Sequence, residues 1–157
     1  MLFAGDDFRS AVSKKTNHRG RREEERAQKV ELVRLNQISG EVVDAAIAVH
    51  SALGPGLLES AYEACLVYEL RKRGLKVEAQ VPLPVIYESV HLELGYRIDL
   101  LVENVIVLEL KACESIAPVH RVQLLSYLRL SGSPLGLLLN FHVALMKDGI
   151  VRMRNGF

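Results

Sequence analysis

GYRIDLLVENVIVLELK, residues 95–111, sets Asp99, Glu109 and Lys111 among Leu100, Leu101, Val102, Val105, Ile106, Val107, Leu108 and Leu110. Two short apolar runs on either side of Glu103-Asn104 read as a β-hairpin buried on both faces. Carboxylates are costly to bury alone, so buried ones are found paired with an opposite charge or bound to a metal. Here two carboxylates and one ammonium converge on a sheet interior.

Hairpin register decides whether they meet. If Glu103-Asn104 formed a two-residue loop, Asp99 would pair with Leu108, and Asp99 and Glu109 would face opposite sides of the sheet. A three-residue loop, Glu103-Asn104-Val105, pairs Asp99 with Glu109 and sets Lys111 on the same face. The sequence therefore predicts that loop, with Asn104 in or near the left-handed region, or else a bulge near Asp99. Opposed carboxylates repel, and a bound cation is the natural resolution. Asp99 and Glu109 are thus expected to hold Mg²⁺ or Mn²⁺, the arrangement of a divalent-metal phosphodiesterase. Lys111 would orient a metal-bound water or stabilise developing negative charge. A purely structural ion cluster is the other reading, because Glu-x-Lys is common on strands.

Two further clusters lie outside this hairpin. In GLLESAY, residues 56–62, Gly56, Glu59 and Tyr62 recur every third residue at the start of a helix, so Glu59 and Tyr62 share a face. Glu59 reads either as a third carboxylate aimed at the metal or as an acidic residue favoured in a first helical turn. His50, just before Gly54-Pro55-Gly56, reads as a structural histidine or as one folding back toward Glu59. In VHRVQLLSYL, residues 119–128, His120, Gln123 and Tyr127 fall on one helical stripe. Gln123 reads equally as a ligand for phosphate or metal-bound water and as a strand-edge or solvent residue.

The rest of the chain supplies the frame. Residues 1–35 are expected to form a charged arm or helical extension, solvated or binding nucleic acid, and the domain proper to cover 36–157. Ile38, Val42, Ala45, Ala46, Val49 and Leu53 mark a helix that Gly54-Pro55-Gly56 ends. A second helix is expected from about Leu57 to Arg73, with Gly74 as terminator, and a third from Ala117-Pro118 to Gly132. Between them lie three strands in meander order: residues 75–87, with Pro82 and Pro84 placing that strand at an edge, then 90–102 and 105–113. PLGLLLNF, residues 134–141, reads as a buried strand, and an Asp148-Gly149 turn as separating two short closing strands. The order α-α-β-β-β-α-β-β gives a mixed α/β fold whose central strands are covered on both faces.

Composition bounds the function. The 157 residues, 49% hydrophobic and 25% charged, suit one globular domain. Residues 1–34 hold nine Lys and Arg against six Asp and Glu, leaving eleven against thirteen in the remainder, which is no basic nucleic-acid platform. Cys65 and Cys113 are too few for a disulfide framework or a zinc site. No signal peptide or membrane span is visible, so a cytoplasmic protein without membrane partners is expected.

GLLESAY and RIDLLVENVIVLELKA resemble the GxxExxY proteins, a family placed in the PD-(D/E)xK nuclease superfamily, over about residues 36–157. The resemblance implies a restriction-endonuclease-like αβββαβ core, preceded here by an extra N-terminal helix. It also implies Glu59, Asp99, Glu109 and Lys111 as the site, with Gln123 as auxiliary. The superfamily's proline before its Asp is replaced by Ile98, at a position that is loose in the superfamily. The expected function is metal-dependent hydrolysis of phosphodiester bonds in nucleic acid, DNA before RNA. In that reading Asp99, Glu109 and Glu59 hold metal, and His50, Tyr62, His120 and Tyr127 are auxiliary. A homodimer or a protein partner is compatible with it. The alternatives are a binding module for nucleic acid or protein that keeps the fold without turnover, and a structural subunit of an assembly.

Overall fold

The computed structural model describes residues 7–156, with side chains from residue 18 onward. The chain divides into two compact units, one ending at Asn36 and one beginning at Gln37. Helix α1 covers Asp7–Leu53, with residues on both sides of that division. In the first unit the helix surface carries exposed i,i+4 pairs, Arg19–Glu23 at 3.4 Å and Arg21–Glu25 at 3.1 Å, which contribute little beyond solubility. Among the described residues no helix is long and apolar enough to cross a membrane.

In the second unit α1 buries Ile38, Val42, Ala45, Ala46 and Val49, the stripe that its three- and four-residue spacing marks. It stops at Leu53 because Gly54 turns left-handed, with φ 70°. Helix α2, Glu59–Lys72, buries Tyr62, Leu66 and Leu70. Strands β1 (Val77–Pro82), β4 (Arg97–Val102), β5 (Ile106–Lys111), β6 (Leu135–Asn140) and β7 (Ile150–Arg154) form one sheet in the order β1-β4-β5-β6-β7. All neighbours are antiparallel except β5 and β6. Helix α3, Pro118–Ser131, makes the crossover between those two, as a parallel pair requires. The fold is mixed α/β, in keeping with a restriction-endonuclease-like core, and β1 lies at the edge where Pro82 belongs.

All of β6 and five of the six residues of β5 are buried, so both faces of the sheet centre are covered. Alternation puts Val107, Glu109, Gly136 and Leu138 on one face. Val107 and Leu138 pack there with Leu124, Tyr127 and Leu128 of α3. Gly136 lets helix and sheet approach closely, since a Cβ there would stand 2.8 Å from Leu124 Cδ1.

Two expectations need correction. Residues 75–87 and 90–102 do not make one long strand each. Strands β2 (Val85–Tyr87) and β3 (Val90–Leu92) pair only with each other, as a separate two-stranded hairpin. Pro82 and Pro84 interrupt the edge strand, and Gly95, at φ 79°, turns the chain back into the main sheet. The closing segment also holds one strand rather than two. After Asn140 the chain leaves the sheet, runs into a 3₁₀ turn at Met146–Gly149 and returns as β7.

Candidate metal-assisted hydrolytic site

The β4–β5 hairpin has the three-residue loop its apolar pattern asks for. Leu100 pairs with Leu108, Leu101 with Val107 and Val102 with Ile106. The Val105 amide donates to the Val102 carbonyl at 3.0 Å. Asn104 is left-handed, φ 57°, but so is Glu103, φ 51°, which the sequence does not signal. Strain at Glu103 is offset locally: its Oε1 accepts the Lys76 amide at 2.7 Å, and its own amide donates to the Lys76 carbonyl at 2.9 Å.

One step beyond Leu100 and Leu108, regular pairing gives way to side chains. The Asp99 amide donates to Glu109 Oε1 at 3.2 Å, and the Leu110 amide donates to Asp99 Oδ2 at 2.9 Å. Each carboxylate thus binds the backbone of the other's strand. On the far side of β4 the ladder also skips one position, between Ala79–Leu100 and Val81–Ile98. Gln80 stands there with φ 53°, its amide group bound to the Glu63 carboxylate at 3.0 and 3.1 Å. The sheet is therefore locally unzipped on both sides of Asp99, which takes the peptide groups around it out of regular pairing.

Electrostatics follow from this crowding. Burial, then the neighbouring Asp99 charge, pushes the Glu109 carboxyl up to about 8, against smaller pulls from the Asp99 amide and Lys111. Glu59 is raised as well, first by burial. Lys111 opposes that shift, Asp99 and Glu63 add to it, and the Ala112 amide draws it back. The Tyr127 hydroxyl is raised by burial and by Glu109 and Asp99, against its hydrogen bond with Gln123. Glu59, Asp99, Glu109, Lys111, Gln123 and Tyr127 therefore form one electrostatic neighbourhood.

Of the remaining sequence candidates, three serve the frame. His50 does not fold toward Glu59; its Nε2 lies 2.8 Å from the Val143 carbonyl and its ring lies against Phe141. Tyr62 is fully buried and stacks on Phe141 at 4.5 Å. Its hydroxyl donates to the Gly54 carbonyl at 2.5 Å and accepts the Leu57 amide at 3.1 Å. It thereby latches the glycine-proline loop and fixes the start of α2, where Glu59 stands. His120 Nδ1 accepts the Ala117 amide at 3.1 Å and closes the first turn of α3. Gln123 and Tyr127 do meet, through a 3.0 Å hydrogen bond from Nε2 to the hydroxyl.

Asn140 is a residue that sequence reasoning passes over. It is buried at the end of β6, paired in register with Lys111. Its Oδ1 accepts the Cys113 and His142 amides, each at 3.2 Å, and its Nδ2 donates to the Cys113 carbonyl at 2.8 Å. The Phe141 amide adds a bond to the Lys111 carbonyl at 2.9 Å. The chain leaving Lys111 is thus tied to β6, and the Ala112 amide that follows acts on the Glu59 carboxyl. A lone Asn at the end of an apolar run was the only signal for it in the sequence.

Among the described residues no three His, Cys, Asp or Glu side chains stand close enough to hold a metal ion by themselves. The donor set nevertheless suits a hard cation. Mg²⁺ ordinarily takes one or two carboxylates and completes its shell with water and phosphate oxygens. Glu109, pushed toward protonation first by burial and then by the Asp99 charge, forms with Asp99 a pair that a divalent cation would relieve.

The family model described as the PD-(D/E)XK nuclease superfamily matches residues 36–153. No curated protein and no solved structure matches the chain.

Proposed function

Since the chain belongs to the PD-(D/E)XK nuclease superfamily, we propose that it hydrolyses phosphodiester bonds in nucleic acid, DNA in preference to RNA. One observation carries the reading: Asp99 and Glu109 grip each other's strands inside the sheet, with Lys111 acting on the same charges. Glu109 buried beside a half-buried Asp99 costs stability, and a site for a cation on a phosphate substrate gives a reason for it.

In this mechanism Asp99 and Glu109 would hold Mg²⁺ or Mn²⁺, with Glu59 as a further carboxylate beside them. The ion, when bound, polarises the scissile phosphate and lowers the pKa of water beside it. The chain's own part is to place charges. Lys111 presents an ammonium to the phosphate oxygens as negative charge grows on them. Tyr127, held by Gln123 and set against Glu109 and Asp99, orients the phosphate or its attacking water. Water oxygen forms the new P–O bond and gives up a proton, the ester P–O bond breaks, and the departing alkoxide takes up a proton, so that one water is consumed per bond cut. Residues 36–157 carry this activity and residues 1–35 are an accessory arm. Gly56, Glu59 and Tyr62 support membership in the GxxExxY branch.

Cleavage of single-stranded, duplex and branched DNA and of RNA, with Mn²⁺, Mg²⁺ or EDTA, tests the proposal. Wild type should cleave only with metal, and Lys111→Ala should lose on the order of 10²-fold or more, the scale of removing one charge-stabilising group. Metal-independent cleavage, or equal rates in the two proteins, would remove it. Nucleic acid bound without any cleavage would favour the non-catalytic module.

A further inference from the structure

The β2–β3 hairpin carries more exposed apolar surface than its fold needs. Tyr87, Val90 and Leu92 share one face of the hairpin and, with Leu94 and Tyr96 beyond it, are all at least 40% exposed within ten residues. Scattered apolar residues mean nothing on a surface, but a set sharing one face of a hairpin marks an interaction site. At its base, where the hairpin leaves the main sheet, lies an open cavity of about 450 Å³ walled by Pro82, Leu83, Pro84, Leu94, Tyr96 and Arg97. Leu83 is pinned there by its amide bond to the Tyr96 carbonyl at 2.8 Å.

Two residues of the cavity wall, Tyr96 and Arg97, lead toward the candidate site. The Tyr96 ring meets the Tyr127 ring edge-on, centroids 6.4 Å apart, and Tyr127 is bound to Gln123 and senses Glu109 and Asp99. Arg97, in the cavity wall, is two residues from Asp99 on the same strand. A ligand occupying the cavity would therefore lie next to a phosphate at the acidic pair.

We infer that the cavity at the hairpin base receives an unpaired nucleobase flanking the scissile phosphate, stacked on Tyr96, and that the hairpin holds the strand by its apolar face. The inference rests on the nuclease reading and narrows its substrate to nucleic acid with unpaired bases. Charge favours this occupant over a duplex. Residues 35–157 hold eleven Lys and Arg against thirteen Asp and Glu, so a track of phosphate contacts along two strands is lacking. Stacking on aromatic side chains needs few cations and tolerates any base. The charged residues of the wall are Glu93, which lies 3.8 Å from His91, and Arg97, the cation there for a flanking phosphate.

The test separates binding from cleavage. Fluorescence anisotropy in EDTA measures a labelled oligothymidylate, an oligouridylate and a blunt duplex of equal length. Wild type, Lys111→Ala, Tyr96→Ala, Tyr96→Phe and Tyr87→Ala are compared, each checked for native circular dichroism. The chain has five Tyr and no Trp, so quenching of tyrosine emission gives a second readout. Wild type and Lys111→Ala should bind the single strands about tenfold or more tighter than the duplex. Tyr96→Ala should weaken single-strand binding roughly 5- to 100-fold, the range for one lost base stack, while Tyr96→Phe stays near wild type. The two single strands distinguish DNA from RNA as the source of the base. Equal affinity for duplex and single strand, or a Tyr96→Ala protein that binds like wild type, overturns the inference; Lys111-dependent cleavage would still stand. If neither binding nor cleavage occurs, both readings fail. Sedimentation showing a dimer that Tyr87→Ala dissociates, with oligonucleotide binding unchanged, would assign the face to self-association and also overturn it.

Discussion

Glu109 is nearly solvent-free, and burial with Asp99 beside it raises its carboxyl from 4.5 to about 8. A carboxyl raised on folding favours the native state while both states are protonated, below about 4.5. That contribution is lost as pH rises toward about 8, because the unfolded chain ionises first. At roughly 1.4 kcal/mol per pH unit the full effect is a few kcal/mol. Glu109→Gln keeps the shape without the charge. The variant should match wild type in metal-free urea unfolding near pH 4.5, exceed it by a few kcal/mol near pH 8, and be inactive throughout. If Glu109 were instead half of an ion pair essential to the fold, the same variant would be destabilised at pH 8.

At the scale of elements, the site is a place where strands stop behaving as strands. Side chains of Asp99 and Glu109 replace backbone partners, and Gln80 leaves the ladder beside them. Such an opening needs bracing, and the Asn140 clasp on Cys113 is the brace. Asn140→Ala would leave the Cys113 amide and carbonyl without that partner, at about 1–3 kcal/mol. It should also free the end of β5 that carries Lys111. The measured outcome should be a modest drop in urea midpoint beside a fall in kcat exceeding that in 1/KM. Asn140→Asp, which retains the acceptor, should lie between. A kcat untouched in Asn140→Ala would show that the clasp serves folding alone.

For the whole molecule, the proposed function implies that metal would compete with a proton for the same pair. Binding of Mn²⁺ should tighten up to about tenfold per pH unit below about 8 and level off above, with release of up to one proton. Calorimetry in buffers of different ionisation enthalpy reads that proton. At a free metal concentration 100 times Kd, unfolding should shift by about 2.7 kcal/mol. Mn²⁺ affinity independent of pH from 6 to 8 would mean that Glu109 is not a ligand.

Much of this was legible in the chain. Local signals specify helix ends: Gly54, Gly74, Pro118 and Gly132 stand where α1, α2 and α3 begin or end. The facing of Asp99 and Glu109 was legible for a similar reason, since an odd loop or a bulge is needed to leave both on one side of an apolar hairpin, and the structure has the odd loop. What stayed hidden depends on partners distant in sequence. Glu103 adopts a left-handed backbone because Lys76 binds it from the end of another loop. His50 faces Val143, 93 residues away, rather than Glu59 in the next helix. The β2–β3 hairpin separates because Pro82 and Pro84 end one edge and Gly95 redirects the next strand, and periodicity alone does not reveal a change of sheet. Sequence by itself determined which residues are charged in an apolar setting, and hence where chemistry is affordable. Only the tertiary structure decided how they are held, because buried charge takes its pKa and its position from whatever the fold brings within a few ångströms of it.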